Sequence, residues 1–324
     1  MSSLQARLLR RWLKRQNLFS GGDFSPIAMR EGAERATGRN RPRRGVTASW
    51  VFLPRTDGNG PHAGAAPLSA EGSGSISAEW LIPAGATGGA AAGAPALLYL
   101  HGGAWFLGSA NTHRPLTSRL AHASGLSTLV VNYRLAPENP FPAGLDDCRF
   151  AYEWLLAGGT PPERIVVGGD SAGGNLTLAL LVALRDAGVP LPAAAFAISP
   201  ATDLTYSLDS HRSRRHLDPY FHDMTPNTIV EGYTGGRDPR EPLISPLFAD
   251  LRGLPPLLIH VGDHELLLDD SVRFGERAAA AGVDVQVVVW PGMFHVFHLY
   301  AQLLPEARRA IAQIGEYVRA RVGA

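Results

Sequence analysis

Cysteine is nearly missing: Cys148 is the only one. An intrachain disulfide is therefore impossible, and a cysteine cage for a metal is excluded. Lysine is as scarce. Lys14 stands alone among 30 basic residues, and arginine supplies the rest. The arginine and alanine excess reads as a coding bias and carries no mechanism. Charge is sparse as well, at 18% of residues with a formal net charge of +1. That balance argues against nucleic acid or another strongly polyanionic partner for the whole chain. No run of about 18 apolar residues occurs, so no transmembrane helix is expected. The N-terminus lacks the apolar core of about seven residues and the small-residue cleavage site of a signal peptide. A cytoplasmic location is the expectation. No internal repeat is visible.

What is present is 45% hydrophobic over 324 residues, a core-forming composition. Near the N-terminus Leu4, Leu8, Leu9, Trp12 and Leu13 fall on one face of a helix. Arg7, Arg10, Arg11, Lys14 and Arg15 precede the first acid, Asp23. A membrane-surface helix fits this pattern. An amphipathic helix covering part of the same protein fits it better, and no stable membrane anchor is expected.

Residues 46–54 and 75–83 read as strands, joined by a Gly/Ala/Pro-rich loop over 55–74. A second such loop covers 84–95. Strand-like runs follow at Leu97–Leu100, Thr128–Tyr133, Ile165–Val167, Ala193–Ile198, Leu257–Val261 and Val285–Trp290. Helix-like runs lie at Asp146–Leu156, Gly173–Ala187, Asp270–Ala281 and about Ala301–Val322. Short apolar strands alternating with amphipathic helices predict an α/β fold, a mostly parallel sheet with helices on both faces. Residues 201–250 break this rhythm, with a single short helix near Pro226–Tyr233, and read as an insertion between two strands.

Gly169-Asp170-Ser171-Ala172-Gly173 is a G-x-S-x-G pentapeptide between a strand and a helix. That context is the one a nucleophile elbow requires. The alternative is a Gly-rich phosphate turn, but Asp170 would repel an anion. A serine hydroxyl needs a base to become nucleophilic. His295 follows the last strand and is the first candidate. His298 lies one turn further, inside the expected final helix, and is the second. The orienting acid belongs after the preceding strand, where Asp263, Glu265, Asp269 and Asp270 compete. Asp269 and Asp270 fit the start of a helix, where acids favour the dipole. Asp263 and Glu265 remain. Backbone N–H donors for a developing alkoxide are expected from Ala172 and from the loop His101-Gly102-Gly103-Ala104-Trp105.

Three motifs together resemble the hormone-sensitive-lipase-like branch of the α/β-hydrolases, the bacterial family IV esterases. They are HGGAW, Asn132-Tyr133-Arg134-Leu135-Ala136-Pro137-Glu138 with Phe141-Pro142-Ala143, and GDSAGGN. The resemblance runs from about Ala96 to the C-terminus. It implies an α/β-hydrolase fold with an eight-stranded sheet and a helical cap. The implied organisation is cap helices over 1–44, a catalytic domain over 45–200 and 251–324, and a cap insertion over 201–250. It implies Ser171 as nucleophile, His295 as base, and Gly102, Gly103 and Ala172 as oxyanion donors. Ala104 stands where the family has a third glycine. The family's acid motif, Asp-x-Leu, aligns with Glu265-Leu266-Leu267, which points to Glu265 over Asp263. The implied reaction is hydrolysis of short- to medium-chain acyl esters through an acyl-enzyme, with no metal or cofactor. A lactone hydrolase would use the same groups, and a non-catalytic small-ligand receptor on this fold is the alternative of another class. Trp12, Phe19, Phe24, Tyr206 and Tyr220 are candidate pocket residues. The apolar run 283–290 is the expected pairing edge of a homodimer.

Overall fold

The computed structural model describes residues 2–16, 25–38, 40–54, 74–86, 93–223 and 226–323. The loop 55–74 thus lies almost wholly outside the described residues, as does half of 84–95. Eight strands form one sheet: β1 (Val46–Pro54), β2 (Ser75–Pro83), β3 (Ala96–Leu100), β4 (Ser127–Val131), β5 (Ile165–Asp170), β6 (Ala194–Ile198), β7 (Leu257–Gly262) and β8 (Val285–Trp290). Their spatial order is β1-β2-β4-β3-β5-β6-β7-β8. The β1–β2 and β2–β4 pairs are antiparallel, and every later pair is parallel.

The central strands are buried along their whole length, as parallel strands covered on both faces must be. Their side chains alternate between two cores. Ala96, Leu98 and Leu100 of β3 join Ile165, Val167, Ala195, Ala197 and Ile259 in one. Leu97 and Tyr99 join Val166, Phe196, Ile198 and Leu258 in the other. This is the period of two expected of a strand. Helices α1 (Leu4–Gln16), α2 (Pro26–Thr37), α3 (Ala110–Ser124), α4 (Ala143–Ala157), α5 (Ala172–Asp186), α6 (Ser210–Ser213), α7 (Pro226–Thr234), α8 (Leu268–Ala280) and α9 (Pro305–Val322) complete the described elements. Residues of α4, α5 and α8 fill the first core, and those of α1, α3 and α9 the second.

Helix α3 is absent from the sequence reading. Its residues include Pro115, which breaks the expected pattern. The structure compensates locally. Ser109 and Thr112 form a reciprocal capping box, and Gly125 closes the far end in the left-handed conformation. The Asn111 carbonyl, left without a helical donor by Pro115, accepts from Asn40 Nδ2 at 3.3 Å. The final helix begins at Pro305 rather than Ala301, after a 3₁₀ turn over Phe297–Tyr300. His298 therefore lies in that turn and outside the helix.

The N-terminal helices are anchored by side chains. Arg30 of α2 pairs with Glu138 at 2.7 Å and donates to the Phe106 carbonyl at 2.5 Å. Ser3 donates from its backbone N–H to Glu306 at 2.7 Å, and Lys14 of α1 donates to the His216 carbonyl at 2.7 Å.

Candidate active site

Strand β5 ends at Asp170, and α5 begins at Ala172. Ser171 between them has φ 54° and ψ −118°. A Cβ at Gly169 would lie 2.3 Å from the Gly173 carbonyl oxygen, and one at Gly173 would lie 2.0 Å from that of Leu100. Only glycine fits both sites, so the turn closes tightly and holds Ser171 in a region that L-residues avoid.

Ser171 Oγ lies 2.9 Å from His295 Nε2. Nδ1 of the same ring lies 2.8 Å from Glu265 Oε2. The other carboxylate oxygen of Glu265 accepts from the Gly262 N–H at 2.6 Å and from Ser199 Oγ at 2.9 Å. A carboxylate only accepts, so Nδ1 carries the ring proton and Nε2 is left to accept from the serine hydroxyl. Burial pushes the Glu265 carboxyl above its ordinary range, against the pull of His295. Burial would lower the His295 imidazolium. The hydrogen bond and charge of Glu265, aided by Asp218 and Asp170, more than offset that and leave it raised.

The structure separates the remaining candidates. Asp263 turns away from His295: its Oδ1 accepts from the Gly292 N–H at 2.5 Å and lies 2.6 Å from His264 Nδ1. It orders the turn between β7 and the His295 loop. His298 Nε2 faces His260 Nδ1 at 3.2 Å. Both rings are buried, and burial pushes His260 down to about 3 and His298 well below the usual imidazole range. They form a neutral core pair.

Asp269 and Asp270 lie in the first turn of α8, as read in the sequence, and they also bind the insertion. Asp270 Oδ1 accepts from the Thr202 and Asp203 N–H groups at 2.7 and 3.0 Å, and its Oδ2 lies 2.6 Å from His211 Nε2. Asp269 accepts from the Ser210 N–H at 2.9 Å. Both tie the 201–250 segment to α8.

The loop after β3 also requires a correction. The Gly102 N–H is committed to Asp170 Oδ1 at 3.1 Å and is not free for an oxyanion. Asp170 points away from the Ser171 hydroxyl into the fold, where Tyr99 Oη donates to it at 2.7 Å and His113 Nε2 stands 3.4 Å away. Burial opposes its charge, but His113 and these bonds hold the carboxyl below its ordinary value. Tyr133 stacks on His101 with ring centres 4.3 Å apart and donates to the His101 carbonyl at 2.6 Å. The Asn132-Tyr133 pair thus braces this loop, with Asn132 Oδ1 accepting from the Ala110 N–H at 2.8 Å.

A cavity of about 20 Å³ lies over Ser171, room for a water molecule or so. Ala104, Trp105, Ala172, Tyr206, Phe221 and Ile229 are among its walls. Of the five aromatic residues proposed from sequence, Tyr206 lines it. Trp12 is 55% exposed on α1, and Tyr220 hydrogen-bonds Tyr300 and packs near His295 without lining the cavity. Phe19 and Phe24 lie outside the described residues. Sequence reasoning missed Phe221, whose ring stands edge-on to His295 at 4.9 Å. It also missed Asp218. That buried carboxylate accepts from the Tyr220 and Phe221 N–H groups at 2.8 and 3.2 Å and, through Oδ2, from the Leu266 N–H at 2.8 Å. It fastens the insertion to the residue after Glu265. Among the described residues, the non-glycine residues with positive φ are Ala104, Trp105, Ser171, Ser199, Tyr206 and Val296. Each lines the cavity or adjoins the Ser171–His295–Glu265 line, so backbone strain concentrates at this site.

Comparisons with known proteins agree with the fold. Residues 97–299 match the family described by its α/β hydrolase fold. An acetyl-hydrolase of Streptomyces hygroscopicus is 47% identical over 250 residues, spanning 77% of this chain and 82% of that protein. An esterase of Acinetobacter venetianus is 40% identical over 222 residues, spanning 68% and 73%. Among solved structures, an esterase from the bacterial hormone-sensitive lipase family superposes with a TM-score of 0.86 at 38% identity, covering all of both chains. EstE5 soaked with p-nitrophenyl butyrate superposes at 0.87 with the same identity and coverage.

Proposed function

We propose a serine-based acyl-transfer mechanism for this chain, which belongs to the hormone-sensitive-lipase-like family of the α/β-hydrolases and is a carboxylic ester hydrolase. The observation that carries the proposal is the unbroken line from Ser171 Oγ through His295 to Glu265 Oε2, at 2.9 and 2.8 Å. Ser171 attacks the ester carbonyl carbon while His295 Nε2 takes its proton. Glu265 holds the ring in the productive tautomer and stabilises the imidazolium that forms. The tetrahedral oxyanion is received by the N–H groups of Gly103, Ala104 and Ala172. None of these three N–H groups is hydrogen-bonded among the described residues. Gly102 has the supporting role of fixing the loop to Asp170. The N-terminus of α5 adds its positive dipole end. His295 returns the proton to the departing alcohol. Water, deprotonated by the same ring, then releases the acid from Ser171. The sequence uses protein groups and water alone.

Acyl groups of about two to eight carbons are the preferred substrates, since a two-part cap covers the site and Ala104 adds a methyl group beside the oxyanion donors. Residues 201–250 supply Tyr206, Phe221 and Ile229 to the walls, and with residues 1–44 they act as the cap. The test is a series of aryl esters from acetyl to palmitoyl, run beside a lactone panel. Turnover should peak at short acyl chains. A steady rise up to palmitoyl would overturn the size assignment, and faster lactone turnover would overturn the ester preference. The protomers pair through 283–290, where β8 forms one end of the sheet.

A further inference from the structure

Helix α1 is apolar over more of its circumference than the protein covers. Ala6 and Leu13 are each 1% exposed and belong to the core beneath it. Leu4, Leu8 and Trp12 repeat at every fourth residue and form a neighbouring stripe, exposed at 60%, 56% and 55%. The sequence places all the apolar residues of this helix on one face. The structure divides that face, one half packed inward and one half open to solvent.

Beside the open stripe runs a second one with the same spacing, Arg7, Arg11 and Arg15, all exposed. These three make no ion pair among the described residues, and the helix contains no acid. The other two cations are engaged. Arg10 donates to the Gly292 carbonyl at 3.4 Å, and Lys14 to that of His216. Thus α1 shows the outside an apolar strip ending in a tryptophan, edged by three guanidinium groups with no ion-pair partner among the described residues. A helix lying in the plane of a bilayer has this composition. Its apolar strip sinks to the acyl boundary, tryptophan sits at the headgroup level, and cations meet anionic headgroups.

We infer that α1 docks the protein reversibly on anionic lipid bilayers, with Leu4, Leu8 and Trp12 inserted and Arg7, Arg11 and Arg15 at the headgroups. Charge decides the occupant. A second copy of this helix would bring the three arginines of each protomer against those of the other, whereas an anionic bilayer neutralises them. The attachment is peripheral, since no helix among the described residues is long and apolar enough to span a membrane. Arg10 and Gly292 fasten α1 to the loop that carries His295, so docking turns that side of the molecule toward the lipid. The inference concerns binding and stands whether or not the ester mechanism is correct.

The experiment is co-sedimentation of the full chain with equimolar phosphatidylglycerol/phosphatidylcholine vesicles and with pure phosphatidylcholine vesicles, at low and high salt. Binding to the anionic vesicles should be strong at low salt, weak at high salt, and weak on phosphatidylcholine in both. Replacing Arg7, Arg11 and Arg15 together by Gln should lower partitioning about 100-fold, at roughly fivefold per cation near the surface. Leu8→Gln with Trp12→Gln should abolish it. Both variants should keep the wild-type circular-dichroism spectrum and thermal midpoint, which shows that they fold. Equal binding to both lipids, or binding kept by either variant, overturns the inference. So does a wild type that ignores vesicles but loses a dimer when Leu8 and Trp12 are changed, because the stripe then belongs to a second copy.

Discussion

At the level of single residues, the roles rest on hydrogen bonds that conservative substitutions remove one at a time. Ser171→Ala should lower kcat by a factor on the order of 10⁶ without disturbing the fold, the size seen when a serine hydrolase loses its nucleophile. Steady-state turnover and circular dichroism of the purified variant check both halves. Glu265→Gln should lower kcat by about 10⁴, because an amide no longer fixes the tautomer. Asp263→Asn should keep most of the activity, since its carboxylate orders a turn. The opposite ranking would move the acid to Asp263. The pH profile gives an independent reading. His295 must be neutral to act as base, and its proton is held more tightly than in a free imidazole. Activity should therefore be low in acid and rise with pH through a midpoint above the ordinary imidazole value. Glu265→Gln removes the charge that holds the proton, so the remaining activity should rise at lower pH. Asp218→Asn should shift the rise the same way, with a far smaller loss of kcat than Glu265→Gln. An unmoved profile in the Asp218 variant would reduce that residue to a fastener of the insertion. The sequence pointed to Ser171 and His295 because each follows a strand that ends at one edge of the sheet, and to Glu265 over Asp263 through the resemblance to the family's acid motif. It could not show that Gly102 is tied to Asp170, since that bond joins residues 68 positions apart.

Among the elements, the strands were the most legible, because continuous apolar runs bounded by Gly and Pro have few other uses in a chain of this size. The eight strands lie within three residues of their sequence ranges, β5 running on to Asp170. Helix α3 was not legible, because Pro115 and four polar residues in its first five hide the apolar period. The Ser109/Thr112 box and Gly125 were the available signals. Ser109→Ala should cost about 1 kcal/mol, the usual worth of such a cap, and a urea-unfolding midpoint would report it. Because Ser109 also donates to Glu34 of α2, the substitution should loosen α2 in the same experiment, read as faster amide exchange over 26–37. The 201–250 segment was legible as a departure from the strand–helix rhythm. Its working residues were not, because Asp218 and Phe221 gain their meaning only where the segment folds back onto Leu266 and His295. Phe221→Ala should enlarge the cavity and move the preferred acyl chain toward greater length. An unchanged preference across the aryl ester series would remove Phe221 from the acyl side.

For the whole molecule, two cores on the faces of one sheet hold the strand ends in register, and that rigidity lets groups from β5, β7 and β8 meet within hydrogen-bond distance. The proposed pairing of protomers through 283–290 belongs to this scale. Light scattering at micromolar concentration should give twice the mass of a chain, and a replacement of Val289, 40% exposed on β8, by Lys should halve it. A monomer mass for the unaltered protein would contradict the pairing. The central claim is that catalysis passes through an acyl group carried on Ser171. Its most direct test is the mass of the protein itself, measured by intact mass spectrometry after rapid mixing with an aryl butyrate and acid quenching. A single butyryl increment should appear, map to the peptide containing Ser171, and be absent from Ser171→Ala. An increment on another residue, or one that persists in Ser171→Ala, would contradict the account.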